Sequence, residues 1–299
     1  MNFVHIGSLL EKMKNNKKNY KLLDKQAYEL AKQYLLRFKV HGVTSNLIKK
    51  YLDFPKHMKK LQTIKDIYFR MLESAQNANM KAGVIGGSID GIKNLSELLC
   101  GFDPAKVAAR YSFCSKLLLE DIIKKVKPRG KIRKTKRAIW PKYCQTIISS
   151  AHFLSQFESA SKFFEWVDFF DKDSRARAAL PMLLSREIDG MGFALSCDFL
   201  KELGYLNFGK PDVHIHDIFK GIGLCSKKED DYHVFKTIVR VANNNGVTAY
   251  NVDKLFWLIG SGYFYKDKQL GTNGRVNAIK KNEFIHLAQK ELGTKKITS

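Results

Sequence analysis

The chain has 299 residues, enough for one large domain or two lobes with a substantial core. Hydrophobic residues make up 44% and aromatic residues 12% of the sequence, which excludes a disordered chain. Lysine and arginine outnumber aspartate and glutamate by 52 to 29, and the formal net charge of +23 favours an anionic partner, most commonly nucleic acid.

The spacing of apolar residues is helical along most of the chain, and only six prolines interrupt it. The sequence therefore predicts an all-α protein. Residues 106–126 form the first clear amphipathic segment, and we expect one helix there, closed by Pro128 and Gly130.

Residues 124–142 carry ten basic side chains broken by Pro and Gly, which predicts a loop between helices. Such a run is often only a solvated loop of a lysine-rich protein. Together with the net charge it favours a surface that contacts phosphates. The candidate DNA-binding residues in it are Lys131, Arg133, Lys134, Lys136 and Arg137.

A glycine hairpin is predicted next, in the stretch Ile188-Asp189-Gly190-Met191-Gly192. The two glycines allow a tight turn, and the N–H groups at the start of the following helix can then receive a DNA phosphate. The apolar residues expected to pack the two helices together are Leu183, Leu184, Phe199 and Leu200. The candidate phosphate contacts are Gly190, Met191, Gly192 and Phe193.

Asp212 follows 22 residues after Gly190, in the stretch Lys210-Pro211-Asp212-Val213-His214-Ile215. Aspartate is a favoured N-cap, so Asp212 is expected to cap a helix that begins at Val213 and to stay ionised there. A carboxylate beside a sugar can also stabilise an oxocarbenium-like transition state and orient water. The two interpretations are compatible.

The last predicted helix lies in residues 248–262, where Val252, Leu255, Phe256 and Ile259 have the spacing of a buried stripe. Gly260 and Gly262 are expected to stop this helix.

The hairpin and the Asp212 motif together resemble the helix-hairpin-helix DNA glycosylase superfamily, which includes endonuclease III, MutY, AlkA and the 8-oxoguanine glycosylases. Residues 190–205 look most like the archaeal-type 8-oxoguanine enzymes, and residues 253–262 are similar to the last helix of that branch. Met71-Leu72-Glu73-Ser74-Ala75-Gln76 resembles a segment that lines the family's base pocket. The likeness is strong over 180–220, weaker over 245–262, and weak before 170.

The resemblance implies a two-lobed all-α fold, with one lobe at 62–208 and a second combining 1–61 with 209–299. It implies a monomer that binds double-stranded DNA in a cleft, flips out a base and acts in base excision repair. The expected reaction is hydrolysis of the N-glycosidic bond of a damaged or modified base, with Asp212 as the catalytic carboxylate.

One departure from the family concerns the lysine of its bifunctional members, which attacks the sugar. Ala194 stands at that position, so the resemblance implies a monofunctional glycosylase. Lys210 and Lys201 are conceivable substitutes for that lysine. Two alternatives therefore stay open: a bifunctional glycosylase/lyase with a displaced lysine, and a non-catalytic helix-hairpin-helix DNA-binding protein.

Other pocket residues follow from the same resemblance. Glu73 is a candidate general acid, although a solvated helical glutamate is the simpler interpretation. Gln76 and Trp257 are candidate contacts for the flipped base. The other aromatic candidates for a pocket wall are Trp140, Trp166, Phe256 and Tyr263.

No cofactor is expected, apart from a monovalent cation that hairpin carbonyls hold in family members. The five cysteines contain no Cys-x-x-Cys pair, and only Cys225 follows Asp212, so neither an iron–sulfur cluster nor a disulfide framework is predicted. We expect buried, reduced thiols. His214, His216 and His233 lack a third ligand in register, so no metal site is predicted.

No apolar run reaches the length that a bilayer requires, and no secretory signal is evident. We therefore expect no membrane partner and a cytoplasmic location, close to the nucleoid in a bacterium or archaeon.

Overall fold

The computed structural model describes residues 3–53, 60–76 and 84–294, and in the first helix the side chains from Tyr20 onward. These ranges contain helices and turns, two isolated β-bridges that involve Tyr263, Thr272 and Arg275, and no β-strand. The predicted all-α class is confirmed. In the same ranges, no helix combines the length and apolarity needed to span a membrane.

The chain divides into two compact units. The terminal unit comprises Met1–His57 and Leu206–Ser299, and the central unit comprises Met58–Tyr205. The sequence placed these boundaries at 61/62 and 208/209, and the assignment of the two parts to glycosylase lobes stays a prediction.

The terminal unit contains the first two and the last four helices of the described chain. They are α1 (Phe3–Leu36), α2 (Ser45–Leu52), α11 (Val213–Gly221), α12 (Asp231–Asn245), α13 (Ala249–Ser261) and α14 (Lys281–Glu291).

The core of the terminal unit forms where α1, α12, α13 and α14 meet. Ala27, Ala31 and Leu35 give α1 a fully buried stripe at helical spacing. The predicted stripe of α13, with Val252, Leu255, Phe256 and Ile259, has no exposed surface and is confirmed. These faces bring the two distant parts of the sequence into one core.

The central unit contains α3 (Ile64–Ala75), α4 (Val84–Ser88), α5 (Pro104–Tyr111), α6 (Ser115–Asp121), α7 (Ile139–Leu154), α8 (Ala160–Lys172), α9 (Ala179–Glu187) and α10 (Phe193–Glu202). Helix α7 lies at its centre and contacts α3, α5, α6 and α9. Tyr68 on α3 donates a hydrogen bond to the Ile147 carbonyl, 2.8 Å away, and Tyr143 on α7 donates to the Leu72 carbonyl at 3.1 Å. Both hydroxyls are thereby satisfied inside the core.

Side-chain caps explain where many of these helices begin. An Asp, Ser or Thr oxygen accepts an N–H of the first turn, which satisfies donors that the helix itself cannot pair. The residues that cap in this way are Thr44, Thr63, Asp103, Ser159, Asp212, Asp230 and Thr248.

The single helix predicted over 106–126 is wrong. Ser112 has a φ of +47°, which breaks the segment between α5 and α6, and a π-helical turn at Ile122–Val126 follows α6. Both α5 and α6 contact α7. A straight helix of that length would extend about 30 Å, so the break lets both halves pack against α7.

Two further expectations need correction. Lys124 and Lys125 lie in the π-helical turn and Lys142 lies in α7, so the loop itself is confined to residues 127–138. Pro141 is tolerated inside α7 because it occupies the first turn, where N–H groups lack carbonyl partners. The thiols are free as predicted, but Cys114 is exposed rather than buried.

Candidate active site

The glycine hairpin lies between α9 and α10 in the central unit. Gly190 has a φ of +76°, and a Cβ on it would lie 2.7 Å from Oγ1 of Thr146. This position therefore needs glycine for two reasons, its left-handed backbone and the close approach of α7. Ile188 and Met191 are each 1% exposed and anchor the turn in the core. The Met191 N–H donates to the Ile188 carbonyl at 3.2 Å, so neither this N–H nor the buried side chain supports the predicted phosphate contact of Met191.

Two side chains of α7 form hydrogen bonds with the hairpin backbone. Thr146 Oγ1 donates a hydrogen bond to the Asp189 carbonyl at 2.6 Å, and the Asp189 N–H donates to Ser149 Oγ at 3.0 Å. The backbone N–H and carbonyl of Asp189 are thus both hydrogen-bonded to α7. Sequence analysis missed these contacts because they join residues about 40 positions apart, and no local pattern marks them.

The start of α10 provides the predicted phosphate-binding amides. Gly190 and Gly192 are exposed, whereas Phe193 and Ala194 are partly buried in the first turn of the helix. The first four N–H groups of a helix have no carbonyl partner within it, so they can meet an anion. The predicted packing below is confirmed for Leu184, Phe199 and Leu200, which are fully buried, and Leu183 is partly buried.

We expect Gly190→Ala to weaken duplex binding about tenfold, because the hairpin must shift to relieve both strain and the Thr146 contact. Gly204→Ala is the matched control, since Gly204 also has a positive φ (+98°) but a Cβ on it would have nothing within 4 Å. Fluorescence anisotropy with labelled duplex DNA checks this. Equal weakening by both variants would show that binding follows general stability and not the hairpin.

Asp212 lies in the terminal unit as the N-cap of α11. Its Oδ1 accepts hydrogen bonds from the N–H groups of His214 at 2.9 Å and Ile215 at 3.2 Å. The predicted capping role and the helix start at Val213 are confirmed. Both capping bonds use Oδ1, so Oδ2 is not used by the cap.

Residues 209–214, which include Asp212, pack against α13. A Cβ on Gly209 would lie 2.9 Å from the carbonyl oxygen of Ala249, at the start of that helix. One turn further on, the Lys210 N–H donates a hydrogen bond to Oδ2 of Asp253 at 3.0 Å. Asp253 is only 2% exposed, so this bond is shielded from water.

The far end of α13 holds the residue that follows the cap. A Cβ on Gly260 would lie 2.5 Å from Cβ and 2.7 Å from Cγ of His214, so glycine is required for this contact. The prediction that Gly260 stops the helix is therefore wrong, because Gly260 lies within it. Gly262, with a φ of +62°, is the C-cap, as predicted. Asp212 is thus held between two fixed points on one rigid helix.

The electrostatics of Asp212 differ from the expectation. Burial, and then the charge of Asp253, raise the pKa of Asp212 above its ordinary value, and Lys210, the capping bonds and His214 only partly oppose this rise. The helix N-terminus therefore opposes the effect of burial on this pKa without cancelling it, and the ionisation of Asp212 at neutral pH stays a prediction. Burial likewise lowers the pKa of His214, which favours a neutral imidazole.

Asp253 is a site residue that sequence reasoning missed. Asp253, Trp257 and Gly260 have the i, i+4, i+7 spacing of one helix face, and Asp253 and Gly260 both contact the Asp212 segment. A buried carboxylate in an otherwise apolar stripe was the available signal. Trp257 lies at i+4 from Asp253 on the same helix and is partly buried, and its contact with a flipped base stays a prediction.

Lys254, the next residue of α13, lies among aromatic rings. Its Nζ is 4.9 Å from the ring centre of Trp257, 5.0 Å from that of Tyr265 and 5.6 Å from that of Tyr250. Tyr263 is partly buried nearby, 6.4 Å from Tyr265 between ring centres. Trp257 thus belongs to a rigid aromatic cluster.

Three other aromatic candidates lie elsewhere. Phe256 is fully buried in the core of the terminal unit, so it cannot stack on a base. Trp140 is 8% exposed and packs edge-on against Tyr143, and Trp166 packs among the phenylalanines of α7 and α8. Trp140 nevertheless lines an open cleft together with residues of the basic loop.

The remaining pocket candidates lie in the central unit. Glu73 forms an ion pair with Arg70 at 3.1 Å, so its carboxylate already has a partner within α3. Gln76 caps α3, and its Oε1 accepts the Gly86 N–H at 3.2 Å. Lys201 is 5% exposed and pairs with Asp198 at 3.1 Å inside the unit.

The basic loop is exposed and anchored at one point. The Arg129 N–H donates to the Ser88 carbonyl at 2.8 Å, and its guanidinium donates to Asp90 at 2.7 Å. Beyond this anchor, an open cleft of about 430 Å³ is lined by loop residues, by α4 and by Ile139 and Trp140 at the start of α7. The predicted DNA contacts Lys131, Arg133, Lys134, Lys136 and Arg137 are all exposed or partly exposed.

The described residues contain no group of three or more His, Cys, Asp or Glu side chains that could hold a metal ion. His216 pairs with Asp231 at 2.8 Å and His233 with Asp230 at 2.6 Å, so each has a structural partner. The monovalent cation at the hairpin stays a prediction.

The chain therefore combines an all-α fold, an anchored glycine hairpin and a partly buried capping carboxylate. Neither a protein-family model nor a curated protein matches it. Among solved structures, it is similar to the 8-oxoguanine DNA glycosylase of Methanocaldococcus jannaschii, with 16% identity, a TM-score of 0.46, and coverage of 81% of this chain and 94% of that one.

Two further structures show a comparable likeness. One is the M. jannaschii 8-oxoguanine glycosylase/lyase in complex with a 15mer DNA containing 8-oxoguanine, with 16% identity, a TM-score of 0.46, and coverage of 76% and 95%. The other is the 8-oxoguanine DNA glycosylase of Thermotoga maritima, with 16% identity, a TM-score of 0.44, and coverage of 79% and 96%.

Proposed function

We propose that this protein is a DNA glycosylase that removes a damaged or modified base from duplex DNA by hydrolysis. The observation that carries the proposal is Asp212, a carboxylate held at a helix N-terminus with Oδ2 unused by the cap. Pure phosphate binding needs no such group, because a carboxylate repels an anionic backbone. Cleavage of an N-glycosidic bond does need one.

The chemistry follows from charge development on the sugar. As the bond to the base lengthens, positive charge grows on the deoxyribose, and Oδ2 of ionised Asp212 stabilises it. The same oxygen can orient the attacking water. Rigid attachment to α13 at Asp253 and Gly260 keeps the carboxylate in place, so little reorganisation is needed during the reaction.

The monofunctional character rests on the residue at the position of the attacking lysine. Ala194 stands where the resemblance places the attacking lysine. An attacking amine must be neutral, whereas Lys201 is paired with Asp198 and is nearly inaccessible. Water is then the nucleophile in the proposed reaction.

One experiment tests the reaction and its alternatives together. Duplexes carrying 8-oxoguanine, uracil, mismatched adenine, alkylated purines or oxidised pyrimidines are incubated with the protein, and strand cleavage is followed with and without hot alkali. We expect cleavage of at least one duplex only after alkali. Cleavage without alkali, with an adduct trapped by borohydride, would instead indicate a glycosylase/lyase.

A non-catalytic DNA-binding protein is the second candidate, because the capping bonds alone explain why Asp212 is present. Under that alternative every duplex stays intact while binding persists. An Asp212→Asn variant that binds as well as the wild type would then assign this residue to the cap.

The basic loop is expected to contribute electrostatic affinity. Arg133→Gln with Lys134→Gln should reduce the slope of log K against log salt by about 2, because each phosphate contact contributes about 0.9. The control is Lys21→Gln with Lys25→Gln, which removes equal charge from exposed positions on α1. An equal change in the slope for both double variants would show that the loop contributes to binding only through the net charge of the protein.

The acid limb of the rate–pH profile should report on Asp212. Asp253→Asn retains an acceptor for the Lys210 N–H but removes a negative charge that raises the pKa of Asp212. Since only ionised Asp212 stabilises the transition state, the acid limb should move to lower pH in this variant. Single-turnover rates across pH measure it, and a limb that moves to higher pH would contradict the assignment.

A further inference from the structure

An open cavity of about 750 Å³ lies in the central unit beside the hairpin. Two acidic residues of the hairpin region, Glu187 and Asp189, line it. The other residues that matter here are Phe113, Gln145, His152 and Gln156. The proposed function assigns no direct DNA contact to the side chains of this cavity, although Ser149 in its lining also supports the hairpin.

Phe113 is the unusual feature of the cavity, because its side chain is 82% exposed and yet held in one orientation. Its ring is stacked on the imidazole of His152, with the ring centres 4.1 Å apart and the planes 6° from parallel. His152 is fixed in turn by a 2.8 Å hydrogen bond between Nε2 and the Ser112 carbonyl. This stack leaves the outer face of the phenylalanine open to a third planar group.

The backbone is strained at Ser112, directly before Phe113. Ser112 has a φ of +47° although it is not glycine, a conformation that persists only where the surroundings impose it. The break between α5 and α6 therefore does two things: it bends the chain around α7, and it points Phe113 outward beside the hairpin.

We propose that this cavity binds one unpaired nucleobase of the DNA, and that it prefers bases with an exocyclic amino group, such as adenine and cytosine, to thymine. The base stacks on the open face of Phe113. Its amino group donates to Glu187 or Asp189, in the way carboxylates accept from the cytosine amino group. The inference rests on the proposed DNA binding at the hairpin.

The charge distribution separates base from backbone. Two carboxylates disfavour a phosphate inside the cavity, whereas a neutral base edge with N–H donors is matched to them. Asp189 directly precedes Gly190, so the amides proposed to hold a phosphate begin where the cavity ends. Gln145 and Gln156 add amide donors and acceptors for the rest of the base edge.

The test compares duplexes that are fully paired with duplexes that carry a single bulged adenine, cytosine or thymine, all without a lesion. Affinities are measured by fluorescence anisotropy for the wild type, Phe113→Ala and Phe169→Ala. Phe169 is the matched control because its side chain is also highly exposed, at 71%, and lies outside the cavity. Neither ring supports a core, so both variants should fold.

We expect the wild type to bind bulged adenine and cytosine about tenfold more tightly than paired DNA, the scale of one base–aromatic stack. Phe113→Ala should lose this preference and keep its affinity for paired DNA, while Phe169→Ala keeps both. Glu187→Gln should narrow the difference between cytosine and thymine.

Four results would overturn the inference. Equal affinity for paired and bulged duplexes, or a preference that survives in Phe113→Ala, would exclude the cavity while leaving the proposed glycosylase intact. Tight binding of bulged thymine would remove the role of the amino group. No binding to any duplex would overturn the proposed function and this inference together.

Discussion

Replacing Asp212 with asparagine is expected to abolish base excision while raising the stability of the protein. Asparagine caps a helix about as well as aspartate, so α11 should keep its start and the fold its geometry. The rate of the chemical step should fall by at least about 10²-fold, because the group that stabilises the developing charge is lost. Duplex affinity should stay the same.

The gain in stability follows from the raised pKa of Asp212 in the folded state. A carboxyl whose folded pKa is raised contributes its full stability below the unfolded pKa, and this contribution is lost as pH rises through the folded pKa. At neutral pH the variant should therefore have a higher Tm than the wild type. The difference should vanish in acid.

Asp230→Asn is the control for both effects. Asp230 also caps a helix of the terminal unit, but it is exposed, and hydrogen bonds from His233 lower its pKa. That variant should keep full activity and show no gain at neutral pH. Single-turnover excision and thermal melting at two pH values provide the comparison, and a fully active Asp212→Asn protein would remove Asp212 from the mechanism.

The second large effect is expected for Gly260→Ala. The new methyl group would lie 2.5 Å from Cβ of His214, and neither backbone can move far because both belong to packed helices. We expect a loss of about 1–3 kcal/mol in the free energy of unfolding, the usual cost of overpacking. Asp212 would shift with His214, and a displacement near 1 Å can cost about 10²-fold in rate.

Gly87→Ala is the control for this helix substitution. Gly87 lies in α4, and a Cβ there would have nothing within 4 Å, so alanine should be neutral or slightly stabilising. Activity per folded molecule, corrected by a melting curve, separates misplacement of Asp212 from simple unfolding. Normal activity in folded Gly260→Ala protein would show that the His214 contact does not position the carboxylate.

Local chemistry explains which parts of this fold were predictable from sequence. The stripe of α13 follows from helical periodicity, the start of α11 from the capping preference of aspartate, and the hairpin from two glycines between apolar helices. Each of these signals lies within about ten residues. Their meaning does not depend on which part of the chain packs beside them.

The missed features all join distant residues. Thr146 supports the hairpin from 43 positions away, and Asp253 contacts Lys210 across the same interval. Gly260 has the form of a stop signal until His214 is known to lie against it. The break at Ser112 likewise depends on α7, because an amphipathic pattern continues through it in the sequence. Tertiary packing decided these cases.

The division of the terminal unit between the two ends of the chain has a consequence for how the protein is made. Asp24 on α1 is fully buried and pairs with Arg240 on α12 at 2.9 Å, 216 residues later. During synthesis the central unit is complete before Arg240 leaves the ribosome. Until then, Asp24 has no ion-pair partner and the apolar stripe of α1 is exposed to solvent. Chaperone demand should therefore concentrate on the first fifty residues, and a circular permutant that begins at Leu206 should relieve it.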